Sequence, residues 1–510
     1  MIARTGLSSR WAWLSILGVA ALLTLPAMLQ PPRLNDSYWI DWVWLDQFAQ
    51  VLRSGTLYPR WLPLSHGGLG SPVFYYYPPL AFYVGSAFVM AGLSVYAALI
   101  ATFFAGYVAA GTGMYLWLKD QARWPLIGAL AYVAAPYHAC NFYLRGAVAE
   151  FTATAVLPFV MLGLRRLEAG KHDAFAIVAL GYAGLICSHL PLALLASLFL
   201  VGPYAAMLCR ARKGTAPYVI GALATGIALA GAYLVPALAL DHYRDAAKLW
   251  ELPVLQPQNW TFWKEPVPNG YPSMLIIGAS LAAPLLVLAL VERSRWAAFG
   301  LLCAVLAVGL VPAVWELPLL RSVQFPFRIL PIAEFALATA LARSTSRGLF
   351  LAVLCLPGAF LSWAIVIRPA TAGHVTMYDL QTRHPDVPEN LPPGERPYSW
   401  PSRWALKLAQ QHPMENVVDG RTIEPVFYFP AWRETCGKVE VPTFPDAATK
   451  LLSHPGDHCT RRLTLTSQEK LGAAASVLGL LVLAWGWLGG TRRLHGRTLA
   501  RKGPAKGMTA

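Results

Sequence analysis

The residues best equipped for chemistry are a few ionisable groups set in apolar surroundings. The stretch NDSYWIDWVWLDQF (35–48) places Asp36, Asp41 and Asp46 among aromatic residues, directly after the apolar run 11–30. Carboxylates so placed can take a proton from an attacking group. Arg145 and Arg328 border apolar segments, and a guanidinium binds phosphate through a planar fork of donors. The plain alternative for each is snorkelling to the interface or pairing with a buried acid such as Glu150. Glu150 itself could support a cap, a metal or Arg328. His189, in CSHLP, could bond phosphate or acceptor or exchange a proton near neutral pH, or be satisfied at a helix start. Arg60, in YPRW, is flanked by aromatics of the kind found at headgroup level.

Spacing separates some of these residues. A helix starting near Ser37 puts Asp46, Gln50 and Arg53 on one polar stripe. Asp41 instead projects beside Leu45, Phe48 and Leu52, so it is paired or functional, because a desolvated acid needs a partner. Asp36 stands where an N-cap belongs, and local pattern leaves capping and catalysis both open. The tryptophans read as interfacial anchors. Arg145 and Glu150 are five apart and would diverge by about 140° on a regular helix. The favoured reading is a loop at Gly146 that enters a helix at Val148. Gly67, Gly68 and Gly70 make a turn without the Lys-Ser/Thr of a phosphate loop. The loop 241–266 mixes charges with aromatics, as carbohydrate-facing surfaces do, and carries the sequon Asn259-Trp260-Thr261.

The elements that must position these groups are membrane helices. The 510 residues are 56% hydrophobic and 13% charged, and thirteen apolar runs approach the ~20 residues that cross a bilayer. If all thirteen cross, the basic loops 165–173 and 210–215 fall on opposite sides and the basic tail lies outside, against charge bias. The run 78–93 opens with Pro78-Pro79 and is short. Treating it as re-entrant or interfacial leaves twelve crossings and makes the basic loops and tail cytoplasmic. The segments 31–77, 140–150, 187–189, 240–271, 316–328 and 368–470 then share the extracytoplasmic side, which also carries every polar cluster named above.

The expected organisation is a transmembrane unit over 1–367, whose first outer loop is 31–77, an extracytoplasmic β-rich block over 368–470, and a last helix with basic tail over 471–510. Short alternating stretches such as KVEVPTF suggest the strands. Cys436 and Cys459 share that outer block and are expected to form a disulfide. The net charge of +15 sits largely in short loops and the tail, which fits topology and excludes nucleic acid as the expected partner.

Several motifs carry a family resemblance over most of the chain. The first loop holds Gly55-Thr56-Leu57-Tyr58-Pro59-Arg60-Trp61, Gly67-Gly68-Leu69-Gly70 and Tyr76-Tyr77-Pro78-Pro79. Further on come Tyr137-His138, Leu144 to Glu150, Ser188-His189 and Gln324-Phe325-Pro326-Phe327-Arg328; Tyr428 to Trp432 looks like a first strand of a YfhO-like C-terminal domain. Together they resemble the bacterial membrane proteins labelled 6-pyruvoyl-tetrahydropterin synthase-related, in the GT-C glycosyltransferase superfamily. Where that family often has His and Arg after the acid, this chain has Asp41 and Trp44.

The resemblance implies a mainly α, GT-C-type fold with about 12–13 membrane helices and a small β-rich C-terminal domain in a bacterial inner membrane. It implies sugar transfer from a polyprenyl-phosphate donor to a lipid, glycan or protein acceptor on the outer face. Such a reaction needs a base, with Asp36 first and Asp41 second, and cations for the departing phosphate. Arg60, Arg145, Glu150, His189, Gln324 and Arg328 are the expected substrate-binding residues, with Mg or Mn as an optional ion. The competing readings are a lipid or polysaccharide transporter and a non-catalytic envelope assembly factor.

Overall fold

The computed structural model describes residues 9–29, 37–246, 253–260, 271–367, 386–394, 417–418 and 420–486. Asp36 lies outside the described residues, as do Thr261 of the sequon and most of the segment 368–416. The chain is mainly helical, with a small β region near its C-terminal end.

Apolar runs become helices, but many are interrupted. Among the described residues, Arg10–Leu29, Val95–Leu118, Val148–Glu168, Leu190–Ala211 and Met274–Val291 are long and apolar enough to cross a membrane. Two further candidates are bent pairs: Ala216–Leu229 with Gly231–Ala239 at 69°, and Ser346–Val353 with Leu356–Val366 at 43°. By this measure there are five spans, or seven if each bent pair counts as one. The expected 12–13 counted all thirteen apolar runs, or twelve without 78–93; among the described residues Ala174–Ser188 and Arg295–Ala307 are shorter apolar helices. The helix Leu80–Met90 has 11 residues, about 16 Å at 1.5 Å per residue, too short for a hydrocarbon core of ~30 Å.

Small residues set one tight crossing. A Cβ on Gly472 would lie 2.5 Å from the Gly231 carbonyl oxygen, so the helix Gly231–Ala239 and the last helix Ser467–Trp485 meet backbone to backbone.

The helix Ser37–Arg53 starts where the pattern predicts, with Gln50 and Arg53 exposed, Asp46 half-buried and Asp41 buried. Its tryptophans correct the interfacial reading. Trp42 and Trp44 are buried, and the Trp44 indole donates to Asp386 at 2.9 Å. They are core residues because the first loop folds back over this helix.

The β region forms two antiparallel sheets. One orders Val417–Val418, Arg421–Phe427, Leu451–His454 and Phe444–Pro445; the other orders Val439–Val441, Trp432–Cys436 and Cys459–Leu463. Cys436 and Cys459 face each other in register and are disulfide-bonded. The region shares one core with the first loop, through Trp61, Leu69, Tyr75 and Tyr76 against Phe427, Phe429 and Leu451.

A buried ion pair ties the ends of the fold. Arg60 Nε lies 2.9 Å from Glu469 Oε1, and Arg60 Nη2 donates to the Ala232 carbonyl at 3.0 Å. Glu469 also closes a capping box with Thr466 at the start of the last helix. Removing one member of a buried pair strands the other charge. Glu469→Ala is therefore expected to destabilise the protein by about 3–5 kcal/mol, read as a lowered unfolding midpoint in detergent, whereas Asp46→Ala should change it by less than about 0.5 kcal/mol.

Candidate functional site

The site is built on one carboxylate. Glu150 lies in the first turn of the helix Val148–Glu168 and is 1% exposed. Its Oε2 is 2.8 Å from Arg145 Nη1 and 3.3 Å from Arg328 Nε, while the Tyr137 hydroxyl donates to Oε1 at 2.6 Å. The same Arg145 nitrogen donates to Asn141 Oδ1 at 2.8 Å and to the Tyr137 hydroxyl at 3.1 Å.

Local backbone makes this meeting possible. The segment before Glu150 is a π-helix, Cys140–Arg145, and it ends at Gly146 in the left-handed region at φ +63°. A Cβ there would also sit 2.3 Å from the Tyr38 ring, so glycine is required twice over. The break turns Arg145 back toward Glu150, which a continuous helix would hold on another face. The new helix begins at Val148, as the spacing predicts, and Asp41 Oδ2 accepts from the Val148 N–H at 3.2 Å. Asp41 is thus a paired, buried acid at a helix N-terminus, where negative charge is favoured.

Arg328 arrives from the other side. Its Nη1 donates to the Val323 carbonyl at 2.7 Å and to Gln324 Oε1 at 2.8 Å. Gln324 is held at φ +68°, an uncommon conformation for a side chain of that size. Phe325 and Phe327 stack at 5.0 Å. Phe325 lies 4.8 Å from the Arg328 guanidinium, and Phe327 lies 5.2 Å from that of Arg145. Aromatic faces favour cations. They also shield the pair from water.

His189 completes the group at the turn between the helices Ala174–Ser188 and Leu190–Ala196. Its Nδ1 accepts from the Leu192 N–H at 3.2 Å, which assigns the proton to Nε2. That nitrogen is 4.0 Å from Glu150 Oε2. Burial first, then the Arg328 guanidinium, hold the imidazole well below its ordinary 6.5, at about 3. It is a neutral donor beside a carboxylate that two guanidinium groups share.

The structure therefore brings together Arg145, Glu150, His189, Gln324 and Arg328, with Asp41 on the backbone of the helix that carries Glu150. Arg60 is elsewhere, committed to Glu469. The cluster does not fit Mg or Mn: both Glu150 oxygens already accept from Tyr137, Arg145 or Arg328, and the guanidinium groups would repel the ion.

Sequence reasoning missed three participants. Tyr137 and Asn141 precede Arg145 at spacings of four, a face signal that was available. Glu334, a lone acid in an apolar helix, accepts from the Tyr137 N–H at 2.6 Å and pairs with His138 Nδ1 at 2.7 Å. It fixes the short helix Pro136–Ala139 that carries Tyr137, and an isolated intramembrane acid was its signal.

Residues 74–372 match the family model described as the 6-pyruvoyl-tetrahydropterin synthase related domain, a membrane protein. That match covers more than half of the chain, and the chain belongs to this family. No curated protein matches it. Two solved structures of the arabinofuranosyltransferase AftD from Mycobacteria, one of them a mutant, are similar at 19% identity with TM-scores of 0.47 and 0.46. They cover 75% and 74% of this chain, which spans only 30% and 29% of theirs.

Two outcomes follow from the geometry. Glu150→Gln removes the carboxylate that two buried guanidinium groups share and should cost about 3–5 kcal/mol, while Tyr137→Phe should cost about 1 kcal/mol; denaturant unfolding in detergent reads both. The unfolded chain protonates His189 near 6.5, but the folded chain resists to about 3. The folded state thus binds fewer protons in that window, and its stability falls as pH drops from 6.5 toward 3. His189→Gln should flatten the loss seen in melting curves between pH 7 and pH 4; an unchanged slope would assign the acid sensitivity to other groups.

Proposed function

We propose that this member of the family is an integral membrane glycosyltransferase that moves a sugar from a polyprenyl-phosphate donor to a lipid, glycan or protein acceptor on the extracytoplasmic face. One observation carries the reading: two buried arginines converge on one carboxylate under an aromatic cover, which concentrates oriented guanidinium donors in one buried place. This is a preorganised environment for a group that develops negative charge as it leaves, such as phosphate. The bonds of Arg328 use Nε and Nη1. We assign its Nη2 to the donor phosphate, with Arg145 as the second cation and His189 Nε2–H as a neutral donor.

The base must take the acceptor proton. Asp36 has that role in the proposal, on the family resemblance. Asp41 is less suited because its Oδ2 holds the Val148 N–H; it positions the helix bearing Glu150. Glu150 keeps both guanidinium groups oriented while the site waits for substrate. The same closed knot of charges would also serve a transporter or an assembly factor, and the experiment separates the three.

Purified protein is incubated with a set of polyprenyl-phosphate sugars, and wild type is compared with Asp36→Asn and Arg328→Lys. Asp36→Asn is expected to cut turnover by roughly 10²–10⁴-fold with donor binding retained. Arg328→Lys keeps the charge but loses the planar fork and should weaken donor binding by about 10-fold or more. Turnover indifferent to Asp36→Asn removes that residue as base. Tight binding by wild type without turnover of any sugar removes the transferase reading in favour of transport or scaffolding.

A further inference from the structure

A second cluster of buried ionisable groups lies in the β region, away from Glu150. Glu424 stands on the strand Arg421–Phe427 and His454 on its neighbour Leu451–His454, both in the four-stranded sheet. Glu434 stands on Trp432–Cys436 of the three-stranded sheet. A carboxylate oxygen from each glutamate and an imidazole nitrogen all lie within 4.8 Å of one another. Two sheets thus contribute donors to one point.

Glu434 is the anomaly. It is 0% exposed, and neither carboxylate oxygen has a hydrogen-bond partner. His454 is 1% exposed, and its Nδ1 also has none. Nearly all buried polar atoms are paired, and an unpaired buried carboxylate is among the costliest exceptions. The directly opposite residue across the strand pair is Arg461, which should be the natural partner. Its Nη1 instead lies 3.1 Å from Glu424 Oε2, leaving Glu424 Oε1 beside His454 Nε2 at 3.3 Å. Arg461 therefore orients one acid of the group and leaves the other without a hydrogen-bond partner.

We propose that Glu424, Glu434 and His454 bind a divalent cation of the zinc class that joins the two sheets of the β region. One imidazole with two carboxylates suits zinc better than magnesium or calcium, which prefer all-oxygen sets. Glu434 can offer both oxygens and so fill two positions, Glu424 and His454 supply the others, and Arg461 holds Glu424 in place as an outer-shell partner. An ion between the sheets would link them to each other, beside the disulfide that links two strands of one sheet.

The test uses tag-free, full-length protein in detergent without thiol reductant, because reduced Cys436 and Cys459 would form another zinc set with His454. Protein stripped with chelator is reloaded with zinc chloride, and bound metal and thermal midpoint are measured together. The expected result is one zinc per chain surviving gel filtration and a raised midpoint. Glu434→Gln and His454→Gln should abolish both effects, and Arg461→Gln should weaken affinity by roughly 10–100-fold. The proposal is overturned if reloaded wild type retains no zinc. It is equally overturned if Glu434→Gln binds as much zinc as wild type, or if metal-free Glu434→Gln is as stable as zinc-treated wild type while wild type ignores zinc, which would mark Glu434 as a neutral acid. Should Glu434→Gln fail to fold, Glu424→Gln, on the more accessible acid, decides by the same two readings.

Discussion

A carboxylate buried inside the protein has to be neutralised where it stands, and the placement of Glu150 imposes that demand on the surrounding helices. At 1% exposure it has almost no access to solvent, so its polar atoms must find protein partners. Tyr137 and Arg145 meet the demand from one segment and Arg328 from another. Both segments depart from regular helix to do so, and a third break supplies His189. The π-helix stops at the left-handed Gly146, Gln324 takes an uncommon backbone conformation, and an extended residue interrupts the helices at His189. Helix ends and breaks, rather than helix middles, therefore supply the polar groups of the site.

The same rule accounts for the other buried ties. Glu334 holds the Tyr137 N–H and His138 on one side of the site. Arg60 joins the first loop to the last helix through Glu469. Each is a pair whose desolvation is offset only while both members stay in place. These ties fix geometry more than they add stability. A site that must hold charges ready for a phosphate needs that rigidity, since preorganised groups do not have to reorient as charge develops.

The first loop and the β region also depend on one another. The Phe427 N–H donates to the Leu69 carbonyl at 2.8 Å, and Trp61 packs against Phe429 and Trp432. A substrate handled near the loop would thus be in reach of a segment almost four hundred residues later in the chain. The family assignment and the cluster around Glu150 point to the same part of the molecule, because residues 74–372 contain every member of that cluster.

Much of this was legible in the sequence where the physics is local. Hydropathy marked the helices, the polar stripe set the face of the helix from Ser37, and the five-residue separation of Arg145 and Glu150 favoured a break at Gly146 over a pair that does not meet. Cys436 and Cys459 followed from the redox character of a polar outer segment. What local pattern could not supply was partner choice. Arg60 and Arg328 have the same residue type and similar aromatic neighbours, yet one closes a structural tie to Glu469 and the other turns to Glu150. Trp42 and Trp44 read as interfacial because their burial depends on a loop folding back over them. A lone charge in an apolar run declares that a partner must exist, since desolvation is a property of the residue and its immediate surroundings. Which partner it finds is decided only when helices distant in sequence pack, because that free energy depends on distances and on excluded water that no one segment specifies.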